Sequence, residues 1–305
     1  MKKIHLTIML LLMSLLVGCV DQSQGSTSQT TNNNKKIVAT SVATLEILEK
    51  LDVDNVVGIP QTTSYQIPEK YKDAQSIGSP MSPDMEIIKS LNPDIVLSPN
   101  SLEGELKQQY DNINVNSYFL DLKSTDGMYS SISELGSLLG KESEAKKLCE
   151  AYEDFKKSYA DKHSNDEKPT VLILMGLPGS YVVATESSYV GSLVKMAGAV
   201  NIYGDGDGSD FINVNTEDML SKNPDIILRT SHAMPEQVKV MFENEFSTND
   251  IWKHFKAIEN GKVYDLDNNK FGMSATFNYE EAFFSREVFI NSSSWGIISF
   301  SDWAV

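Results

Sequence analysis

Cysteine is almost missing from this chain. Two of its 305 residues are cysteine, Cys19 and Cys149, and Cys19 closes an apolar leader, so the rest carries a single thiol. A lone thiol forms no internal disulfide and excludes the paired-cysteine zinc frameworks. Cys149, in a helical stretch, reads as a small buried apolar residue. Histidine is as scarce, four in all. His5 lies in the leader, His163 ends a charged helix and His254 belongs to an amphipathic segment, which leaves too few for a multi-histidine zinc or manganese site. Positive charge is short too. Against 42 acidic residues stand 26 basic ones, a formal net charge of −16, so no nucleic acid is expected as a partner, because neutralising phosphates needs a basic footprint. The same balance attracts the chain poorly to an anionic membrane surface.

What is present begins with a leader. Lys2 and Lys3 precede an apolar run, residues 6–17, that is too short to span a bilayer comfortably, and the segment closes on Leu16-Val17-Gly18-Cys19. Residues 1–18 read as a signal peptide that resembles a lipoprotein leader, with Cys19 as the lipidated new N-terminus. Residues 19–35, mostly Ser, Thr, Gln and Asn, read as a tether too polar to offset its ordering entropy. The expected product is an extracellular protein held to the membrane by lipid on Cys19. One acyl chain would hold weakly and several would hold stably.

The body of the chain repeats a phrase. Met85-Glu86-Ile87-Ile88-Lys89-Ser90-Leu91-Asn92-Pro93-Asp94-Ile95-Val96-Leu97 is answered by Thr216-Glu217-Asp218-Met219-Leu220-Ser221-Lys222-Asn223-Pro224-Asp225-Ile226-Ile227-Leu228. Each copy reads as a short helix, a break at proline and an apolar strand buried on both faces. Strands alternating with helices predict an α/β protein with two Rossmann-like lobes and mostly parallel sheets. The N-terminal lobe is expected over residues 36–122 and the C-terminal lobe over 166–278. One long, partly solvated helix over 123–165 joins them, with pairs such as Glu153–Lys157. The N-terminal lobe includes a long polar and aromatic loop, residues 61–80, and a helix starting near Pro83-Asp84.

Ligands of open parallel sheets bind outside the carboxyl ends of the strands, where the following helices also begin. His232 comes just past the second repeat's strand, and Met81 precedes the first repeat's helix, so both fall on the ligand edge of their lobes. An imidazole and a thioether together are the axial pair of cytochrome-type haem iron. The loop at Gly176–Tyr181 lacks the Lys-Ser/Thr of a P-loop, which argues against nucleotide binding. After a strand it suggests cleft lining, with Gly179 allowing close approach and Tyr181 offering a ring; Tyr65 is a similar candidate from the first lobe. For both tyrosines a core role competes.

At Ile77-Gly78-Ser79-Pro80-Met81, residues 171–181, residues 223–229 with His232-Ala233-Met234-Pro235-Glu236, and residues 249–257, the chain resembles the substrate-binding lipoproteins of iron-complex ABC importers, and within them the haem-binding branch. The resemblance spans residues 37–276. It implies haem (iron protoporphyrin IX) between the lobes with Met81 and His232 as axial ligands. It implies Tyr65, Gly179, Ser180, Tyr181 and Arg229 as pocket candidates, Arg229 meeting a propionate or bonding within its own lobe. Glu86 and Glu217, equivalent in the two repeats, would dock on the ABC permease or serve only as first-turn acids favoured by the helix dipole. A monomer fed by upstream cell-surface haem-relay proteins follows from the same likeness. A ferric-siderophore or corrinoid receptor of the same fold is a second reading, and a chelatase or haem-degrading enzyme a third, although no activated nucleophile or acid–base pair stands out. Residues 279–305 depart from the pattern. Within them residues 289–305 are apolar and aromatic without helical spacing, as an altered or frameshifted terminus would be, and present an aggregation liability.

Overall fold

The computed structural model describes residues 35–283 apart from Ser64 and Glu167. The leader, Cys19 and residues 284–305 of the atypical tail lie outside the described residues. The first lobe runs β1 (Ile37–Ala39), α1 (Val42–Lys50), β2 (Val56–Ile59), β3 (Gln75–Ser76), β4 (Gly78–Ser79), β5 (Ser82–Pro83), α2 (Met85–Leu91), β6 (Ile95–Pro99), α3 (Glu103–Asn112) and β7 (Ser117–Leu120). Its main sheet, in the order β3-β2-β1-β6-β7, is parallel throughout. The order reverses between β1 and β6, so the crevice at their carboxyl ends is a topological switch point.

The bridge is helical, as expected, but it is divided. α4 (Thr125–Leu139) stops at Gly140, whose φ of +68° closes the helix in the left-handed conformation. α5 (Glu142–Lys162) then folds back along it. Tyr129 and Tyr152 stack with centroids 4.1 Å apart, and the Tyr152 hydroxyl donates to Thr125 Oγ1 at 2.8 Å. The helix pairs also differ from the expected Glu153–Lys157: Lys156 reaches Glu153 and Asp126, whereas Lys157 pairs with Asp161.

The second lobe comprises β8 (Thr170–Leu177), β9 (Ser180–Ala184), α6 (Tyr189–Met196), β10 (Val200–Asn201), β11 (Phe211–Ile212), α7 (Thr216–Lys222), β12 (Ile226–Ser231), α8 (Pro235–Thr248), α9 (Lys256–Glu259) and β13 (Val263–Asp265). Its sheet follows β11-β9-β8-β12-β13, with β10 paired to β8. β8, β10, β12 and β13 run parallel, β9 runs antiparallel to β8, and β11, antiparallel to β9, returns to the sense of β8. β9 does so because Pro178-Gly179 turns β8 straight back, Gly179 supplying the positive φ of +83° such a turn requires.

The central strands are buried on both faces. Ile37, Ile95, Leu97, Val171, Ile173 and Leu228 belong to one core shared by both lobes and the bridge helices. Their neighbours Val38 and Val96 pack with α2 and α3 in a core of the first lobe, and Leu172, Leu174 and Ile227 with α8 and Trp252 in a core of the second. The period-two alternation thus assigns each side chain to its core.

The repeated phrase folds the same way twice. Asn92 and Asn223 end their helices in the left-handed conformation, at φ of +47° and +41°. Asparagine tolerates that region, and the proline behind it forbids continuation.

Candidate functional site

Met81 is built into the tightest feature of the first lobe. In the β4–β5 hairpin Gly78 pairs with Pro83 and Ser79 with Ser82, leaving Pro80-Met81 as a two-residue loop. Proline presets its own φ there, which stiffens the turn. Backbone bonds from Gln61 to Gly78 (2.8 Å) and from Asp84 to Ile77 (2.7 Å) tie the hairpin to the carboxyl end of the sheet. The Met81 side chain is 65% exposed, so this thioether fills no core. The helix expected to start at Pro83-Asp84 starts one residue later. Pro83 stays in β5, and the Asp84 carboxylate caps α2 by accepting from the Glu86 and Ile87 amides at 2.9 and 3.0 Å.

His232 follows β12 directly, since that strand runs to Ser231, beyond the expected Arg229. Its backbone N–H donates to the Gly176 carbonyl at 3.0 Å, continuing the ladder one residue past the strand. His232 is exposed as a residue, yet the protein around its ring desolvates it enough to push its pKa below the ordinary value. Desolvation penalises the charged form, so a neutral ring, able to donate a nitrogen lone pair, is favoured.

Tyr65 lies in the loop after β2 and is half-exposed. Burial of part of its ring raises the phenol pKa, and the carboxylates of Asp267 and Glu46 raise it further. Asp267 comes two residues after the end of β13 in the other lobe. Tyr65 of the first lobe therefore stands near enough to a carboxyl-edge residue of the second lobe to feel its charge. Lys123, at the start of the bridge, pairs with Asp210 of the second lobe at 3.2 Å, and the Ala275 N–H donates to the Leu122 carbonyl of the first at 2.8 Å. Neither Glu46 nor Asp267 was singled out from the sequence; the position of Asp267 after an edge strand was the available signal.

The remaining candidates divide. Gly179 and Ser180 form the exposed tip of the β8–β9 hairpin, on the same sheet edge as His232. Tyr181 turns inward: its ring packs on Phe242 and Trp252, and burial raises its pKa. Arg229 is committed within its own lobe. Its Nε and Nη2 donate to the two Asp265 carboxylate oxygens at 2.7 Å each, and the guanidinium lies 5.4 and 5.0 Å from the Phe242 and Phe246 ring centroids. Glu86 and Glu217 are exposed at the second position of seven-residue helices capped by Asp84 and Asn215. Among the described residues, no cluster of three or more His, Cys, Asp or Glu could hold a metal ion.

A parallel-sheet lobe at each end of a helical bridge, with ligand edges apposed, defines a class: two-lobed solute-binding proteins. The chain belongs to the periplasmic binding protein family, whose profile it matches over residues 37–270. It is 44% identical over 280 residues to the high-affinity heme uptake system protein IsdE of Staphylococcus aureus strain Newman, covering 91% of this chain and 94% of that one. Among solved structures it resembles an ABC transporter substrate-binding protein from Listeria monocytogenes EGD-e, at 46% identity and a TM-score of 0.79 over 84% of this chain and 98% of that one. It resembles S. aureus IsdE complexed with heme to the same TM-score of 0.79, at 43% identity over 84% and 99% of the two chains.

Proposed function

We infer that this protein is an extracytoplasmic receptor that binds haem and delivers it to an ABC permease for iron acquisition. It is a binding protein, not an enzyme. The observation that carries the reading is the likeness along nearly the whole chain to a receptor solved with heme, at 43% identity and a TM-score of 0.79. The chemistry of the chain fits. A porphyrin fills four positions of its own iron, so the protein need supply only two axial ligands, and it has an exposed thioether and a desolvated imidazole on the facing sheet edges. In this reading Met81 and His232 bind the iron, and Tyr65, Gly179 and Ser180 line the cleft. Tyr181 and Arg229 support it from beneath through Phe242, a partner they share.

Lipid on Cys19 anchors the receptor to the outer face of the cytoplasmic membrane, so that haem from cell-surface relay proteins is captured beside the importer. Glu86 and Glu217 dock on the permease, one per lobe. Their equivalence in the two repeats supports this role, as does their lack of any ion pair among the described residues. The test of binding is to titrate purified protein with haemin and record the Soret band. A protein-specific band saturating at one haem per chain is expected, and its absence contradicts the reading. The test of docking is uptake of haem by cells carrying Glu86→Lys or Glu217→Lys. Both variants should bind haem normally and import it poorly.

A further inference from the structure

Six non-glycine residues of the described structure have positive φ, and five of them are Asp or Asn: Asp52, Asn92, Asn114, Asp207 and Asn223. The sixth is Met234, two residues after His232, at φ +52° and ψ +55°. Asp and Asn enter the left-handed region readily because a short polar side chain bonds locally; methionine has no such compensation. Pro235 follows, and a residue before proline favours extended or polyproline geometry, which Met234 does not have. Nor does burial of the side chain repay the conformation, since it is 53% exposed. The strain is imposed from outside.

The chain on each side of Met234 is fixed at Gly176. On one side, His232 donates its backbone N–H to Gly176. On the other, Met234 caps α8 with its carbonyl, accepting from Gln237 and Val238 at 3.0 and 3.1 Å, and the first turns of α8 pack onto Gly176. A Cβ at Gly176 would lie 2.2 Å from Val238 Cγ1 and 2.9 Å from Phe242 Cε2. The chain must leave β12, reverse and lay α8 over Gly176 within three residues, and Met234 supplies the reversal. At the apex stands His232, whose ring has no side-chain hydrogen bond to orient it among the described residues. Among the described residues its hydrogen-bonded anchor is the backbone N–H on Gly176.

We propose that Met234 is a positioning residue: its left-handed backbone, and not its thioether, fixes where the His232 imidazole is presented. This rests on the haem reading for its function but not for its structural half. Four variants test it. Met234→Asn keeps the left-handed conformation at lower cost, and Met234→Ala keeps the backbone requirement while removing the side chain. Met234→Val, being β-branched, opposes the conformation, and Met234→Thr opposes it more mildly should Met234→Val not fold. Two readouts are taken on the full chain. Hydrogen exchange of the His232 amide, without haem, is expected to stay slow in Met234→Asn and Met234→Ala and to accelerate at least tenfold in the β-branched variants. With haemin, the first two should keep the wild-type spectrum, and the β-branched pair should lose histidine ligation and at least tenfold in affinity.

A slow His232 amide and an unchanged spectrum in the β-branched variants overturn the proposal. So does loss of ligation in Met234→Ala, which would make the thioether the functional group. If wild-type protein binds no haem, the functional reading fails, and the exchange experiment still decides whether Met234 positions His232.

Discussion

Asp94 and Asp225, one in each copy of the Asn-Pro-Asp phrase, make the same hydrogen bond. The Oδ2 atom of Asp94 accepts from the Lys36 backbone N–H at 2.7 Å, and that of Asp225 accepts from the Thr170 N–H at 2.7 Å. Each aspartate returns its own N–H to the same residue's carbonyl at 2.9 Å. The phrase thus stops a helix, starts a strand and fastens that strand to its lobe's first strand, which fixes the sheet edge beside which Met81 and His232 stand.

Asp225 links that clamp to pH. Burial alone would raise its pKa, but Lys256 at 2.7 Å and the Thr170 hydroxyl and amide outweigh this, holding it at about 2 against an ordinary 3.8. A depressed carboxylate stabilises the fold fully above its ordinary value, and that contribution fades as pH falls toward the folded-state value. The contribution should therefore fade between about pH 4 and pH 2. Because the pair is about two-fifths exposed, Asp225→Asn is expected to cost only about 1 kcal/mol at neutral pH. Urea unfolding at neutral and acid pH checks this: the gap between variant and wild type should narrow over that window.

Gly176 is a contact point and not a flexible one. Placing a methyl group 2.2 Å from Val238 Cγ1 requires α8 to move, so Gly176→Ala should destabilise the protein by about 1–3 kcal/mol. The same shift should weaken haem binding through the His232 loop. Denaturation midpoints and haem affinity would then fall together.

Arg229 tests whether a cation in this lobe serves the pocket or the scaffold. Arg229→Lys keeps the charge but loses the two-pronged contact with Asp265 and the placement over Phe242 and Phe246. A loss of about 1.5–3 kcal/mol in stability, with an unchanged haem absorption spectrum, is expected. A normal unfolding midpoint with weakened haem binding would instead assign Arg229 to a propionate.

How much of this could be read from the sequence depended on how local the cause was. Asn92-Pro93-Asp94 and Asn223-Pro224-Asp225 carry their own stop signals, so the repeats and their strands were legible. The edge positions of Met81 and His232 followed from them. The β4–β5 hairpin was not legible, because two-residue strands leave no period to detect. Gly140 was visible as a residue, but helical spacing before it and a stretch dense in Glu and Lys after it suggested one helix; its left-handed φ and the packing of Tyr129 on Tyr152 reveal two. Arg229 and Tyr181 were ambiguous because their partners lie far along the chain, Asp265 being 36 residues from Arg229 and Glu245 64 from Tyr181. Met234 carried no signal at all: nothing in methionine announces a left-handed backbone.

The depressed pKa of His232 predicts how haem binding responds to acid. Protonation removes the ring's lone pair, so a free histidine would begin to lose ligand strength near its ordinary 6.5. Desolvation holds His232 neutral to lower pH. The acid decline in haem affinity should therefore set in at lower pH than that of a free imidazole ligand, as followed by Soret titration in buffers of matched ionic strength.

The central claim is that Met81 and His232 together hold the iron of haem. Its most direct test is the absorption spectrum of the haem complex in wild type, Met81→Ala and His232→Ala, each titrated with haemin. The account predicts a low-spin methionine–histidine spectrum in wild type, a changed ligation spectrum in Met81→Ala, and loss of much of the binding in His232→Ala. Spectra and affinities indistinguishable among the three proteins would contradict it.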